Sequence, residues 1–200
     1  SNKKADKGTI VHKALEICAV AKKGLQDGKK IIVDSHIGRV STGNYKPEYL
    51  NKVIDRVYKY YTDRLTHHAW TTKDAKDCTA WTWKALEYRD GMFDPRNRNI
   101  VAAEPQFDFN IEADWSQYSY NLNNNNLTGN LAMKGTIDLV TDLGDGVYEV
   151  IDWKTGRRLD WATGEKKTQH NLSSDAQLRI YHYAMKKMFP QVSSFIITII

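Results

Sequence analysis

The run Val150 to Gly156, VIDWKTG, ends an apolar stretch in a carboxylate and an ammonium two residues apart. Its β-branched and aromatic content is that of a strand, and in a strand residues i and i+2 point to the same face. Asp152 and Lys154 therefore stand side by side at the end of a strand that is otherwise built for a core. On its own such a pair also fits a solvated strand face, where charged side chains normally lie. What decides between the two is what the neighbouring elements bring beside it.

The pattern along the chain predicts those elements. Val11, Leu15 and Cys18 recur at helical spacing within a helix from about Thr9 to Lys23, with Gly24 as its stop, which puts His12 in the first turn. A short strand, Lys30 to Asp34, lies among turn residues and precedes a helix from Pro47 to about Leu65. The Trp- and Tyr-rich stretch from Thr66 to Met92 reads as helical in its second half, so residues of about 45–93 form a helical insertion. Three β-runs follow, Ile100 to Ser119 with a break at Pro105, Leu131 to Thr141, and Val147 to Lys154. NLNNNNLTGN reads as an asparagine-rich loop, and DLGDG carries the Asp-Gly pair of a tight hairpin. A helix from Ser174 to Met188, ended by Pro190, and a buried strand from Val192 to Ile200 complete the chain. The order is helix, three-strand meander, helix, strand, which is a mixed α/β sheet.

With 200 residues and 41% hydrophobic content, the chain suits one domain, residues 1–200. The apolar ending FIITII reads as a strand interior, as expected of a piece excised from a longer chain. A net charge of +5 permits a polyanionic partner without demanding one. Two distant cysteines, Cys18 and Cys78, are too few for an iron–sulfur cluster and show no zinc spacing, which fits a reducing cytoplasm. No apolar run approaches the roughly 20 residues of a membrane helix.

Asp138, in MKGTIDLV, falls on the strand that the Asp-Gly hairpin pairs with the one carrying Asp152. Two neighbouring carboxylates make a hard-oxygen site for Mg²⁺ or Mn²⁺, which a neutral His12 can complete. Lys154 cannot ligate a cation but can hold a phosphate oxygen or an attacking water. Carboxylates, metal and lysine together suggest phosphodiester hydrolysis.

KGTIVHKALE with His12, AAEPQF with Glu104, MKGTIDLV with Gly135 and Asp138, EVIDWKTG with Asp152 and Lys154, and DAQLRIYHYA with Gln177 and Tyr181 occur in this order. In these motifs the chain resembles the RecB-like branch of the PD-(D/E)XK nuclease superfamily. The resemblance implies a restriction-endonuclease-like core with His12, Asp138, Asp152 and the backbone carbonyl of Trp153 as metal ligands. It implies Lys154 as the catalytic lysine, with Glu104, Gln177 and Tyr181 also in the site. It further implies a DNA substrate, single-stranded DNA included, a helicase or recombination partner, and action in recombination, repair or phage DNA processing. Members with an iron–sulfur staple have four cysteines, which this chain lacks. Arg157, Arg158, Lys166 and Lys167 follow the strand closely enough for phosphate contacts, and Trp153 and Trp161 are candidates to stack on unpaired bases.

Other roles stay open at this level. His12 can be a surface histidine, Glu104 an edge charge, and Tyr181 a core aromatic one turn beyond Gln177. Gln177 also fits the fourth position of a capping box begun by Ser174, and the basic run can be a solvated loop. His67, His68 and Cys78 lack paired ligand spacing and read as incidental. A non-catalytic nucleic-acid-binding module and a structural domain of a helicase–nuclease assembly remain the alternatives to an enzyme.

Overall fold

The structure, a computed structural model, describes residues 2–155 and 175–200. Helix α1 (Lys3–Gln26) begins at an Asn2 cap, whose side chain accepts from the Lys4 N–H. It packs on a four-stranded mixed sheet in the order β10-β9-β8-β3. Here β3 is Asn99–Ala103, β8 Leu139–Gly144, β9 Val147–Asp152 and β10 Ser194–Ile199. β3, β8 and β9 form the antiparallel meander, and β10 joins β9 in parallel. The parallel step requires a crossover, and α4 (Ala176–Met188) lies within that connection. The expected order of helix, meander, helix and strand is the observed one.

The central strands are buried on both faces because their apolar residues alternate between two cores. Leu139 and Ile151 face α1 and the helices α2 (Pro47–Thr62) and α3 (Thr72–Gly91), while Val140 and Val150 face Tyr181, Ala184 and Met185 of α4. A hairpin of β1 (Ile31–Asp34) and β2 (Gly38–Ser41) precedes α2. A second pair, β4 (Gln106–Asn110) with β7 (Ala132–Thr136), carries a third hairpin of β5 (Gln117–Leu122) and β6 (Asn125–Asn130). Among the described residues no helix is long and apolar enough to cross a membrane.

Several elements depart from expectation for local reasons. α1 starts six residues earlier than the apolar spacing indicates, because the polar first turns are held by the cap rather than by burial. His12 consequently lies in the third turn, not the first. Gly24 does not end the helix: it is buried inside it, where a Cβ would come within 2.6 Å of Ile32. The asparagine run is a hairpin rather than a loop, with Asn123 and Asn124 both at positive φ in its two-residue turn. Asparagine tolerates that conformation and the turn's twist matches the strands. β10 is half-buried rather than buried.

Leu139 is fully buried in a central strand, whereas Val33 is 77% exposed on an edge hairpin. Leu139→Ala should cost about 2–5 kcal/mol, and Val33→Ala about 0.5 kcal/mol or less. Urea unfolding of both variants checks this, with the midpoint moving and the slope unchanged.

Candidate active site

The site is built where two strand pairs break together. β3 and β4 form one arm bent at Glu104-Pro105, and β7 and β8 a second arm bent at Ile137-Asp138. Across the break the Glu104 N–H donates to the Asp138 carbonyl at 3.0 Å and the Ile137 N–H to the Pro105 carbonyl at 3.1 Å. Glu104 takes a left-handed φ of 45°. That region is uncommon for a residue with a side chain, and proline adds its own restriction on the residue before it. Such strain persists only where the surroundings enforce it. Here it sets a carboxylate at the bend next to Asp138.

One strand over, the register Leu139↔Ile151 carried on by one rung sets Asp152 opposite Asp138. Asp152 is only 2% exposed. Its Oδ1 accepts from the Tyr181 hydroxyl at 3.2 Å and from the Lys154 ammonium at 3.1 Å. Gln177 links the rest: its Oε1 accepts from Lys154 at 3.0 Å and its Nε2 donates to the Tyr181 hydroxyl at 2.9 Å. The Asp152 carbonyl and the Lys154 N–H are taken by Ile200, which continues the ladder with β10. The peptide groups of Trp153 therefore face the other way in an extended chain, and its N–H donates to Asp138 Oδ2 at 2.8 Å.

α1 closes the third side. His12 Nδ1 lies 3.7 Å from Asp138 Oδ2. One turn on, Glu16 brings its negative charge near Glu104 and pairs with the buried Lys13 ammonium at 2.9 Å. Gly8 permits the approach of the strand end, since a Cβ there would stand 2.5 Å from Thr155 Oγ1. His12, Glu16, Glu104, His36 and Thr155 line a cavity of about 690 Å³. Burial, with the neighbouring Glu16 and Asp138 charges, pushes the Glu104 carboxyl up to about 7. Burial also raises Asp138, with Asp152 adding to it, while His12 and the Trp153 N–H oppose the shift.

His12, Glu104, Asp138, Asp152, Lys154, Gln177 and Tyr181 thus converge on one corner of the sheet. The α4 cap is Asp175, which accepts from the Gln177 N–H, so the Gln177 side chain is left for Lys154 and Tyr181 rather than for a capping box. The Trp153 ring is 3% exposed in the core and has no open face for a base, which corrects the stacking role assigned to it. Gly135 has a packing role, lying across from Phe107, whose ring a Cβ would meet at 2.6 Å. Arg157, Arg158, Trp161, Lys166 and Lys167 lie outside the described residues. Glu16 escaped the sequence reading although His12 and Glu16 are four apart, the spacing that places two side chains on one helix face. Asp6 Oδ2 accepts from His68 Nε2 at 2.6 Å, with His67 Nε2 at 3.8 Å from the same oxygen, while Cys78 is buried elsewhere in the core. Burial pushes the Cys18 and Cys78 thiols up to about 12, which makes both poor nucleophiles.

The donor set suits a hard divalent cation. It offers carboxylate oxygens and an imidazole nitrogen on neighbouring backbones. Asp152 Oδ2 is buried without a hydrogen-bond partner; the Lys154 ammonium, 2.8 Å away, makes an ion-pair contact without hydrogen-bond geometry. That ammonium offsets the buried charge, and the oxygen still has lone pairs to offer a divalent cation.

Adjacent carboxylates beside an Asp-x-Lys strand are chemically suited to metal-assisted phosphodiester hydrolysis. The family model for the PD-(D/E)XK nuclease superfamily matches residues 1–197, and the chain belongs to that superfamily. Its mixed α/β sheet is the restriction-endonuclease-like fold of those metal-dependent nucleases. No curated protein and no solved structure matches significantly.

Glu104 gives a pH signature in the chelated protein. Between its ordinary value near 4.5 and the folded value of about 7, the unfolded chain releases a proton that the folded chain keeps. Stability therefore falls as pH rises through that window. Glu104→Gln should lessen that fall, with Asp138 keeping its own share, and leave the variant more stable than the parent at pH 8, with the two closest at pH 4. Thermal melts in chelator across pH 4–8 measure it; parallel pH profiles would show that Glu104 is not held in this environment.

Proposed function

We propose that the chain is a Mg²⁺- or Mn²⁺-dependent deoxyribonuclease of the RecB-like branch, acting as an exonuclease in DNA recombination, repair or phage DNA processing. What supports this most is the pairing of Asp138 with a buried, incompletely compensated Asp152 at adjacent strand ends, with Lys154 beside them. A module that only binds nucleic acid has no reason to bury that pair. His12, Asp138, Asp152 and the Trp153 carbonyl would hold the cation, which when bound polarises the scissile phosphate and activates water.

The remaining work falls to side chains. Lys154 reaches solvent, with 43% of its side chain exposed, and can place its ammonium on a phosphate oxygen as charge develops there. Gln177 and Tyr181 hold Lys154 and Asp152 at fixed separation, so neither must reorganise when substrate arrives. Glu104 adds a further carboxylate at the bend. The basic residues Arg157, Arg158, Lys166 and Lys167 supply phosphate contacts, and salt should weaken DNA binding accordingly. With only two cysteines, the protein works without an iron–sulfur cluster. Action in the cytoplasm beside a helicase or recombination partner, as one domain that includes its helical insertion, completes the proposal.

Substitutions separate the two charges of the Asp-x-Lys pair. Asp152→Ala should abolish both Mn²⁺ binding and cleavage. Lys154→Ala should keep Mn²⁺ binding while single-turnover cleavage falls roughly 10²-fold or more. Calorimetry and an assay on end-labelled and circular DNA, with chelator controls, check this after folding is verified. Cleavage that survives exhaustive chelation, or Lys154→Ala cutting at the parental rate, would contradict the proposal.

A further inference from the structure

Beside the Asp-x-Lys strand end lies a second cavity of about 450 Å³, on the side of α3. Val11 and Leu15 of α1 and Trp153, all buried, give it an apolar base, and Trp81 and Tyr88, both partly exposed, give it aromatic sides. Lys84 and Lys154, both exposed, stand at it as cations. Thr155 lines this cavity and also the polar one that holds His12, Glu16 and Glu104. Thr155 thus stands between a carboxylate-lined space and an aromatic one.

We propose that the aromatic cavity receives one unpaired nucleobase of the substrate strand, next to the phosphate that Lys154 holds. This rests on the nuclease reading of Asp152 and Lys154. Its volume lies within the roughly 300–1,000 Å³ of small-ligand pockets. The two wall rings of α3 are braced in place. The Lys7 ammonium stands 4.9 Å from the Trp81 ring centroid, and Tyr88 stacks near-parallel on Phe93 with centroids 6.1 Å apart. Rings fixed in advance lose little freedom when a base stacks on them.

The flanking lysines are cations suited to the phosphates beside an inserted base, and a base held in a pair offers no free face to stack on Trp81 or Tyr88. The cavity therefore selects single-stranded DNA or a frayed end, and it gives the Trp-rich helix α3 a function the catalytic residues do not supply.

The test is fluorescence anisotropy in chelator, with a labelled oligothymidylate and an abasic oligomer of equal length and charge. The parent should bind the base-bearing strand at least about fivefold more tightly. Trp81→Ala should erase that difference while the affinity for the abasic strand stays unchanged, and Trp81→Phe should retain most of it. Ala85→Leu, which narrows the cavity with a residue equally suited to a helix, should erase it too, so the outcome does not hang on one large truncation. Thermal melts confirm folding. Equal binding of both strands by the parent, or an undiminished difference in folded Trp81→Ala and Ala85→Leu, would overturn the proposal. Because no metal is present, the two readings fail separately: cleavage of DNA without base-dependent binding removes the pocket alone, and base-dependent binding without cleavage removes the nuclease alone.

Discussion

A buried carboxylate held beside a half-buried one sets the terms for the rest of this molecule. Charges removed from solvent are costly unless paired, and Asp152, 2% exposed, lies one rung from Asp138. Several elements around the sheet end offset that cost, while the bend that brings Glu104 adds to it. α4 brings the Tyr181 hydroxyl, β9 continues into Lys154, the Trp153 peptide turns its N–H onto Asp138, and α1 brings His12. The compensation is incomplete, since one Asp152 oxygen keeps no hydrogen bond. That residual imbalance is what a bound cation would relieve, and it links the fold to the proposed chemistry.

The arrangement also shows how the sheet makes room for a site. A continuous ladder would fill the space beside β9 with paired backbone. Bending both arms at Glu104-Pro105 and Ile137-Asp138 interrupts the ladder while two hydrogen bonds stitch across the gap. Side chains at the bend are freed from strict alternation, so Glu104 turns toward the cavity while its charge stays near that of Asp138. Proline, which offers no N–H to the ladder, is suited to this position.

Much of this was legible because it follows from short-range rules. Strand alternation paired Asp152 with Lys154, the Asp-Gly hairpin predicted the pairing of β8 with β9, and a helical spacing of four joins Gln177 to Tyr181. What stayed hidden depends on tertiary context. Capping rather than apolar periodicity starts α1 at Lys3, which moved His12 from the first turn to the third. The asparagines looked like a loop because their strands are exposed on both faces and carry no apolar alternation. Glu16 is an ordinary helix glutamate until the bend delivers Glu104 against it, and Trp153 looked available for stacking until the packing of α1 and α3 buried it.

The central claim is that Asp138 and Asp152 share one divalent cation. Anomalous diffraction from Mn²⁺-soaked crystals tests it most directly, because it locates the ion without reference to activity. The account predicts a peak within bonding distance of both carboxylates and of His12, lost in Asp152→Ala. A peak only at the Asp6, His67 and His68 cluster, or none at the sheet corner at saturating Mn²⁺, would contradict it.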